Sequence, residues 1–281
     1  MKSIFSGVYR PTDNDFSKLW KDGLFIVDTN VLLNIYRYPD SASQELLKTL
    51  KTIQTRLWIP YHVALEFQNN RLKVIAEQKM KFHDVRKIAK NIVGHLDGEF
   101  RKMQLHDKHA LIDPSKFIDD IEKSVAKFLS VLDDAEKKQI NVNDADELWK
   151  KIDSLFDGRI GPKPTAEEIR QIDKRAIERF ENSTPPEYMD WKNDGAHQSK
   201  FSYGDILYTR ANGNLYIWEQ MLSHLESEEI KFVVFLTDDD KADWWWKVES
   251  DGLKTLGPMP ELLEEIRRGG FQREAQRFKQ S

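Results

Sequence analysis

Apolar and polar residues follow one another in blocks whose period switches between strand-like and helical. Leu24, Phe25, Ile26 and Val27 form an unbroken apolar run, the pattern of a strand buried on both faces. Asp28, Thr29 and Asn30 interrupt it, and Val31, Leu32, Leu33 and Ile35 resume at helical spacing. Residues 41–53 read as a second helix, with Leu46, Leu47 and Leu50 on one side, and residues 56–60 as a brief strand closed by Pro60. From Val63 the positions Leu65, Leu72, Ile75, Phe82, Val85, Ile88 and Ile92 recur at three- and four-residue steps, which predicts one long amphipathic helix. After a polar break over 106–114, Phe117, Ile121, Val125, Phe128 and Leu132 repeat the pattern, so the two runs read as a helical hairpin. A shorter helix is expected within 143–158 and another over 167–180, between loops punctuated by Gly and Pro.

The pattern then returns to α/β. Residues 202–212 and 215–225 read as helices broken at Asn212-Gly213, and 230–240 as a strand that runs straight into Asp238, Asp239 and Asp240. Residues 241–248 read as the start of a helix, and 253–268 as a last short strand and helix.

Charge narrows the function classes. The formal net charge is −4, which argues against a binder that grips nucleic acid by an overall excess of Lys and Arg. It leaves room for an enzyme with a local basic track beside an acidic pocket. With no cysteine, disulfides, thiolate metal sites and Cys nucleophiles are excluded. No apolar stretch has the length of a bilayer span, and the N-terminus lacks the apolar core of a signal peptide, so a cytoplasmic protein with no membrane partner is expected.

The candidate chemistry lies in carboxylates, each of which also has a plain structural reading. An Asp before a helix, such as Asp28, is commonly an N-cap. Parallel sheets, however, bind ligands beyond the carboxyl ends of their strands, where Asp28 and the acids after Thr237 both fall. One cap needs one acid, and three in a row repel one another unless screened. Glu66 lies early in the long helix, flanked by apolar Leu65 and Phe67, yet a solvated helix Glu is equally ordinary. Ser202 and Asp205 have capping-box spacing, and Gly204 beside them permits close approach of a ligand or a backbone. Together, acids at strand ends and first helical turns suit hard divalent cations, which take oxygen ligands. Two such ions roughly 4 Å apart can clamp an in-line phosphoryl displacement.

These motifs, Ile26-Val27-Asp28-Thr29-Asn30, Glu66 in Ala-Leu-Glu-Phe, Gly204-Asp205-Ile206-Leu207 and Phe235-Leu236-Thr237-Asp238-Asp239, resemble the PIN domain in order and setting. With the Pro185-Pro186 stretch before Gly204-Asp205, they look like the bacterial PIN-like subfamily with a long helical insertion. The resemblance implies an α/β, flap-nuclease-like three-layer fold with a central, mostly parallel sheet. It covers most of the chain, least well the inserted hairpin, and implies a single domain over 1–281 with a helical insertion over roughly 77–158. It also implies a Mg²⁺- or Mn²⁺-dependent nuclease acting on RNA in preference to DNA and leaving a 5′-phosphate. Many relatives are toxins of toxin–antitoxin pairs, so an antitoxin or defence partner belongs to the same expectation. Asp28, Glu66, Asp205 and Asp239 would be catalytic metal ligands, Asp239 by the Thr-x-Asp pattern, with Asp238 and Asp240 as further possible ligands. Glu187 departs from the Gly expected after the two prolines, which reshapes a loop on the substrate side.

Asn30 and Lys241 are placed to touch substrate phosphate, and Arg159 and Lys163, with Lys192 and Lys200, to form a basic rim. The structural alternatives are a plain first-turn helix residue for Asn30, neutralisation of the neighbouring acids for Lys241 and solvated loop charge for the others. The consecutive tryptophans Trp244, Trp245 and Trp246 read as core before base-stacking surface. His83, His95, His106 and His109 lack the ligand set of a zinc site. The helical insertion suits a lid, a homodimer surface or a partner site. Two rivals remain: a non-catalytic PIN-derived module binding nucleic acid or protein, and a phosphatase with an Asp nucleophile. The latter expects Asp-x-Asp where Asn30 stands. Removing the Asp28 charge is expected to leave stability intact or to raise it, through relief of repulsion.

Overall fold

A computed structural model describes residues 1, 4–191, 199–268 and 274–278. Two compact units emerge, one comprising residues 1–69 and 147–281 and the other residues 70–146.

In the first unit, helix α1 (Asp13–Asp22) opens with a capping box between Thr12 and Asp15 and leads into strand β1 (Leu24–Val27). Helices α2 (Thr29–Asn34) and α3 (Asp40–Thr52) follow, then strand β2 (Leu57–Trp58) and helix α4 (Tyr61–Lys102), which runs on into the second unit. That unit also holds α5 (Leu105–Lys108) and α6 (Ser115–Glu136). The chain returns to the first unit through α7 (Glu147–Phe156), α8 (Ala166–Glu181) and the short α9 (Tyr188–Trp191). Strands β3 (Lys200–Tyr203) and β4 (Ile206–Thr209), helix α10 (Gly213–Ser227) and strand β5 (Phe232–Leu236) come next. Strands β6 (Trp245–Glu249) and β7 (Leu253–Pro258), helix α11 (Pro260–Arg268) and strand β8 (Glu274–Phe278) complete the described elements.

The central sheet has the order β2-β1-β5-β8 with every pair parallel, an α/β architecture as the motifs predict. Phe25, Ile26 and Val27 in β1 and Val233, Val234 and Phe235 in β5 are all buried, as strands covered on both faces require. Val27 pairs with Leu236, so β1 and β5 end level with each other. This register places Asp28 beside Thr237.

The second unit is a helical hairpin within itself. Phe100 and Phe117 meet at 6.3 Å between ring centroids, Arg86 bonds Asp133 and Glu136, and Arg71 bonds Asp146. Ile88 (65% exposed) and Phe117 (52%) leave part of its apolar stripe in solvent. Helix α7 packs against α3 within the first unit.

Two local expectations are corrected. Residues 202–209 form not a helix but an antiparallel hairpin, in which Tyr203 pairs with Ile206. Gly204 and Asp205 both adopt positive φ (54° and 66°), the requirement of a tight primed turn. The signal lay in Ile206, Leu207 and Tyr208, which alternate between buried and exposed as a strand does. Residues 245–249 likewise extend into β6 rather than a helix, because Trp and Val favour a pleated, half-buried surface. Trp244 and Trp245 are core, as expected, and Trp244 stacks on Phe235 at 5.6 Å and meets Trp218 edge-on at 5.9 Å. Among the described residues, no helix is long and apolar enough to cross a membrane.

Candidate active site

Asp28 is both a cap and a site residue. Its backbone is extended (φ −79°, ψ 157°) and its Oδ1 accepts the Thr29 N–H at 2.7 Å, which starts α2. Its Oδ2 accepts hydrogen bonds from Asn30 Nδ2 (2.8 Å) and from the Thr237 hydroxyl (2.6 Å). The buried carboxylate therefore meets three donors, one of them from the neighbouring strand's end.

Thr237 is fully buried and joins the two strand ends. While its hydroxyl donates to Asp28, its oxygen accepts the Asp239 N–H at 3.0 Å and Asn30 Nδ2 at 3.1 Å. The three consecutive acids then diverge. Asp238 turns to α2, where its Oδ2 accepts Asn34 Nδ2 at 2.8 Å and its N–H donates to Asn30 Oδ1 at 2.9 Å. Asp239 accepts the Lys241 N–H at 2.8 Å and lies 3.8 Å from the Lys241 ammonium. Asp240 pairs with Lys247 at 3.0 Å. Repulsion within the run is thus relieved by separate partners for each carboxylate.

Glu66, in the first turns of α4, enters through Thr29, whose hydroxyl donates to Glu66 Oε2 at 2.8 Å. Buried His62 brings Nε2 to 3.5 Å from Glu66 Oε1, with its ring against Tyr216 at 4.8 Å. Burial alone would raise the Glu66 carboxyl. The hydrogen bond and charge of His62, the Thr29 hydroxyl and the Lys241 charge outweigh it and hold the group below the usual glutamate range. Lys241 therefore sits where both Asp239 and Glu66 feel its charge.

The first residue of α10 completes this wall. A Cβ on Gly213 would lie 2.8 Å from Glu66 Oε1, so glycine is what lets the carboxylate approach the helix end. Buried Asp243 accepts the Met189 N–H at 3.4 Å. Burial pushes its carboxyl above the ordinary range and the Asp239 charge adds to that.

Among the described residues, the other sequence candidates share no hydrogen bond or ion pair with this network. Asp205 is exposed in the β3–β4 turn, with no hydrogen-bond or ion-pair partner among the described residues. Lys163 donates to the Gly204 carbonyl of that turn at 3.0 Å, and the Arg159 guanidinium to the Asp157 carbonyl at 2.8 Å. Lys200 is exposed in β3, and Lys192 lies outside the described residues, as does the side chain of His106. Thr29, Asn34 and His62 escaped the sequence reading. Their one signal was polarity on otherwise apolar helical stretches.

Among the described residues, no three His, Asp or Glu side chains converge closely enough to hold one ion. Each carboxylate of the network is instead turned onto a protein donor. The donor set still fits Mg²⁺ or Mn²⁺ in kind, since Asp28, Glu66 and Asp239 offer hard oxygens, and Gly213 leaves Glu66 room beside a helix end.

A family model described as a PIN like domain matches residues 24–262. No curated protein and no solved structure matches the chain.

Proposed function

We propose, since the chain belongs to the PIN-like domain family, that it is a metal-dependent nuclease hydrolysing phosphodiester bonds, in RNA in preference to DNA. One observation carries the reading: at two adjacent strand ends the Thr237 hydroxyl donates to the Asp28 carboxylate and accepts the backbone N–H of Asp239, with Glu66 tied in through Thr29. Such an edge of a parallel sheet is where open α/β folds take ligands. Asp28, Glu66 and Asp239 would hold the divalent ions, which supply an activated water and offset charge on the phosphate. Thr237 and Asn30 fix the Asp28 carboxylate, and Thr29 and His62 fix that of Glu66. Lys241 places a cation where a phosphate would otherwise face only acids.

The test is incubation of labelled single-stranded RNA and DNA of mixed sequence with the chain, with and without Mn²⁺. Cleavage of RNA that requires Mn²⁺ and yields 5′-phosphate ends is expected. Cleavage that persists in excess chelator would refute the metal-dependent reading. That Asp28, Glu66, Asp238 and Asp239 each meet a protein donor favours one alternative, a non-catalytic module. Calorimetric titration with Mn²⁺ separates the two, since the module would take up no ion.

Gly213 offers a further check. Gly213→Ala suits the helical backbone at the first residue of α10, while its Cβ pushes the Glu66 side chain aside. The variant is expected to melt no lower than the parent and yet to cleave about 10²-fold more slowly, the scale of a 1 Å misplacement. Thermal melts and the RNA assay read the two effects separately.

A further inference from the structure

We infer that Glu187 is a carboxylate of this metal centre, occupying the role that the motif reading gave to Asp205. The inference rests on the reading of the site as a metal centre and adds a ligand to it.

Glu187 is 6% exposed, and its Oε2 accepts the N–H groups of Asn214 (2.6 Å) and Leu215 (3.3 Å), in the first turn of α10. The residue before Asn214 is Gly213, the one whose missing Cβ leaves room for Glu66 Oε1. Two carboxylates, Glu66 and Glu187, thus meet the N-terminus of one fifteen-residue helix. That end offers about half a positive charge to the pair.

Capping alone does not account for Glu187. A neutral acceptor suffices for a cap, and a buried carboxylate costs far more to desolvate. Asn212 already stands at the N-cap position of α10, but its amide donates to Asp173 at 2.6 Å and it makes no cap hydrogen bond. The Asn212 Oδ1 is buried and has no partner among the described residues. The same holds for Oδ1 of Asp243, a fully buried side chain whose other oxygen holds Met189 N–H, just past Glu187. These two buried acceptors, without donors among the described residues, flank the Glu187 segment, and an ion or a bridging water is what satisfies such atoms. Asp205, by contrast, stands in an exposed turn.

The backbone agrees with a selected acid. Glu187 has φ 74°, in the left-handed region where glycine is at ease and glutamate is strained. Such strain is kept where the surroundings and the site require the side chain.

The experiment compares Mn²⁺ binding by the full chain, read by electron paramagnetic resonance and calorimetry, for the parent, Glu187→Gln, Glu187→Gly and Asp205→Asn. The Gln variant keeps an oxygen that accepts both α10 N–H groups and loses only the charge. Expected are a loss of Mn²⁺ affinity of about tenfold or more in both Glu187 variants, parental affinity in Asp205→Asn, and a metal-free melting point of Glu187→Gln near the parent's. Parental Mn²⁺ affinity in Glu187→Gln, or an equal loss in Asp205→Asn, overturns the inference. If Glu187→Gln does not fold, Glu187→Gly, whose backbone suits this φ, carries the comparison, and failure of both to fold makes Glu187 structural and overturns the inference. A parent chain that takes up no Mn²⁺ fails the metal-centre reading itself, and the inference with it.

Discussion

Asp28→Asn is expected to lower Mn²⁺-dependent RNA cleavage by about 10³-fold, the scale seen when a charged or hydrogen-bonding group aimed at the reacting centre is removed. The carboxylate is the best-anchored acid of the network, with donors from Thr29, Asn30 and Thr237 fixing both of its oxygens. An amide keeps one acceptor and turns an NH₂ toward whichever side it does not satisfy. If its oxygen faces Thr29, the NH₂ meets Asn30 Nδ2; if reversed, it meets the Thr29 N–H. Either way a buried donor loses its acceptor, at about 1–3 kcal/mol. The metal-free variant should therefore melt below the parent. This reverses the expectation from sequence, where the charge looked crowded and its loss looked harmless. The RNA assay beside a metal-free thermal melt checks both, and a fully active Asp28→Asn protein would sink the proposed mechanism.

Trp244→Ala is expected to cost about 3–5 kcal/mol, the range for removing a large buried aromatic. Trp244 is 1% exposed, lies nearly parallel to Phe235 of β5 and meets Trp218 of α10 edge-on. Both neighbours belong to elements that carry the site, since β5 ends at Leu236 beside Thr237 and α10 begins at Gly213. All eight tryptophans fall outside residues 70–146, so indole fluorescence reports the sheet-bearing unit alone. In a denaturant titration the fluorescence midpoint should fall well below the parent's. Far-UV circular dichroism, which also reads the helical unit, should show a second transition left in place. A chain of two units is not guaranteed to unfold in one step, which makes the two probes informative. An unshifted fluorescence midpoint would show that Trp244 is not part of the core that holds the strand ends.

The sheet and the acids at its edge were legible because their cause is local. Two uninterrupted apolar runs, 24–27 and 232–236, each ending in an acid, admit few readings besides buried parallel strands. The long helix was equally plain from its period. The stretch at 202–209 was misread because Ser202 and Asp205 satisfy a capping spacing and a hairpin turn equally well, and only the strand pairing decides between them. Asp205 took its place among the candidates from the resemblance to the PIN domain, and it stands in the exposed turn of that hairpin. The roles of Asp238, Asp239 and Asp240 could not be separated by sequence either. What sorts them is which partner stands opposite, Asn34, Lys241 or Lys247, and each of those pairings is made only on folding. Glu187 was visible as a departure from glycine, but its meeting with the end of α10 is a contact between segments far apart in the chain.

The left-handed backbone at Glu187 has a consequence for how this protein can change over generations. Codons for Glu and Gly differ by a single base, and the loop conformation at this position suits Gly at least as well as Glu. Lineages can therefore gain or shed this carboxylate in one mutational step without rebuilding the loop around it. The charge of the pocket then becomes a trait open to rapid selection on a scaffold that stays fixed.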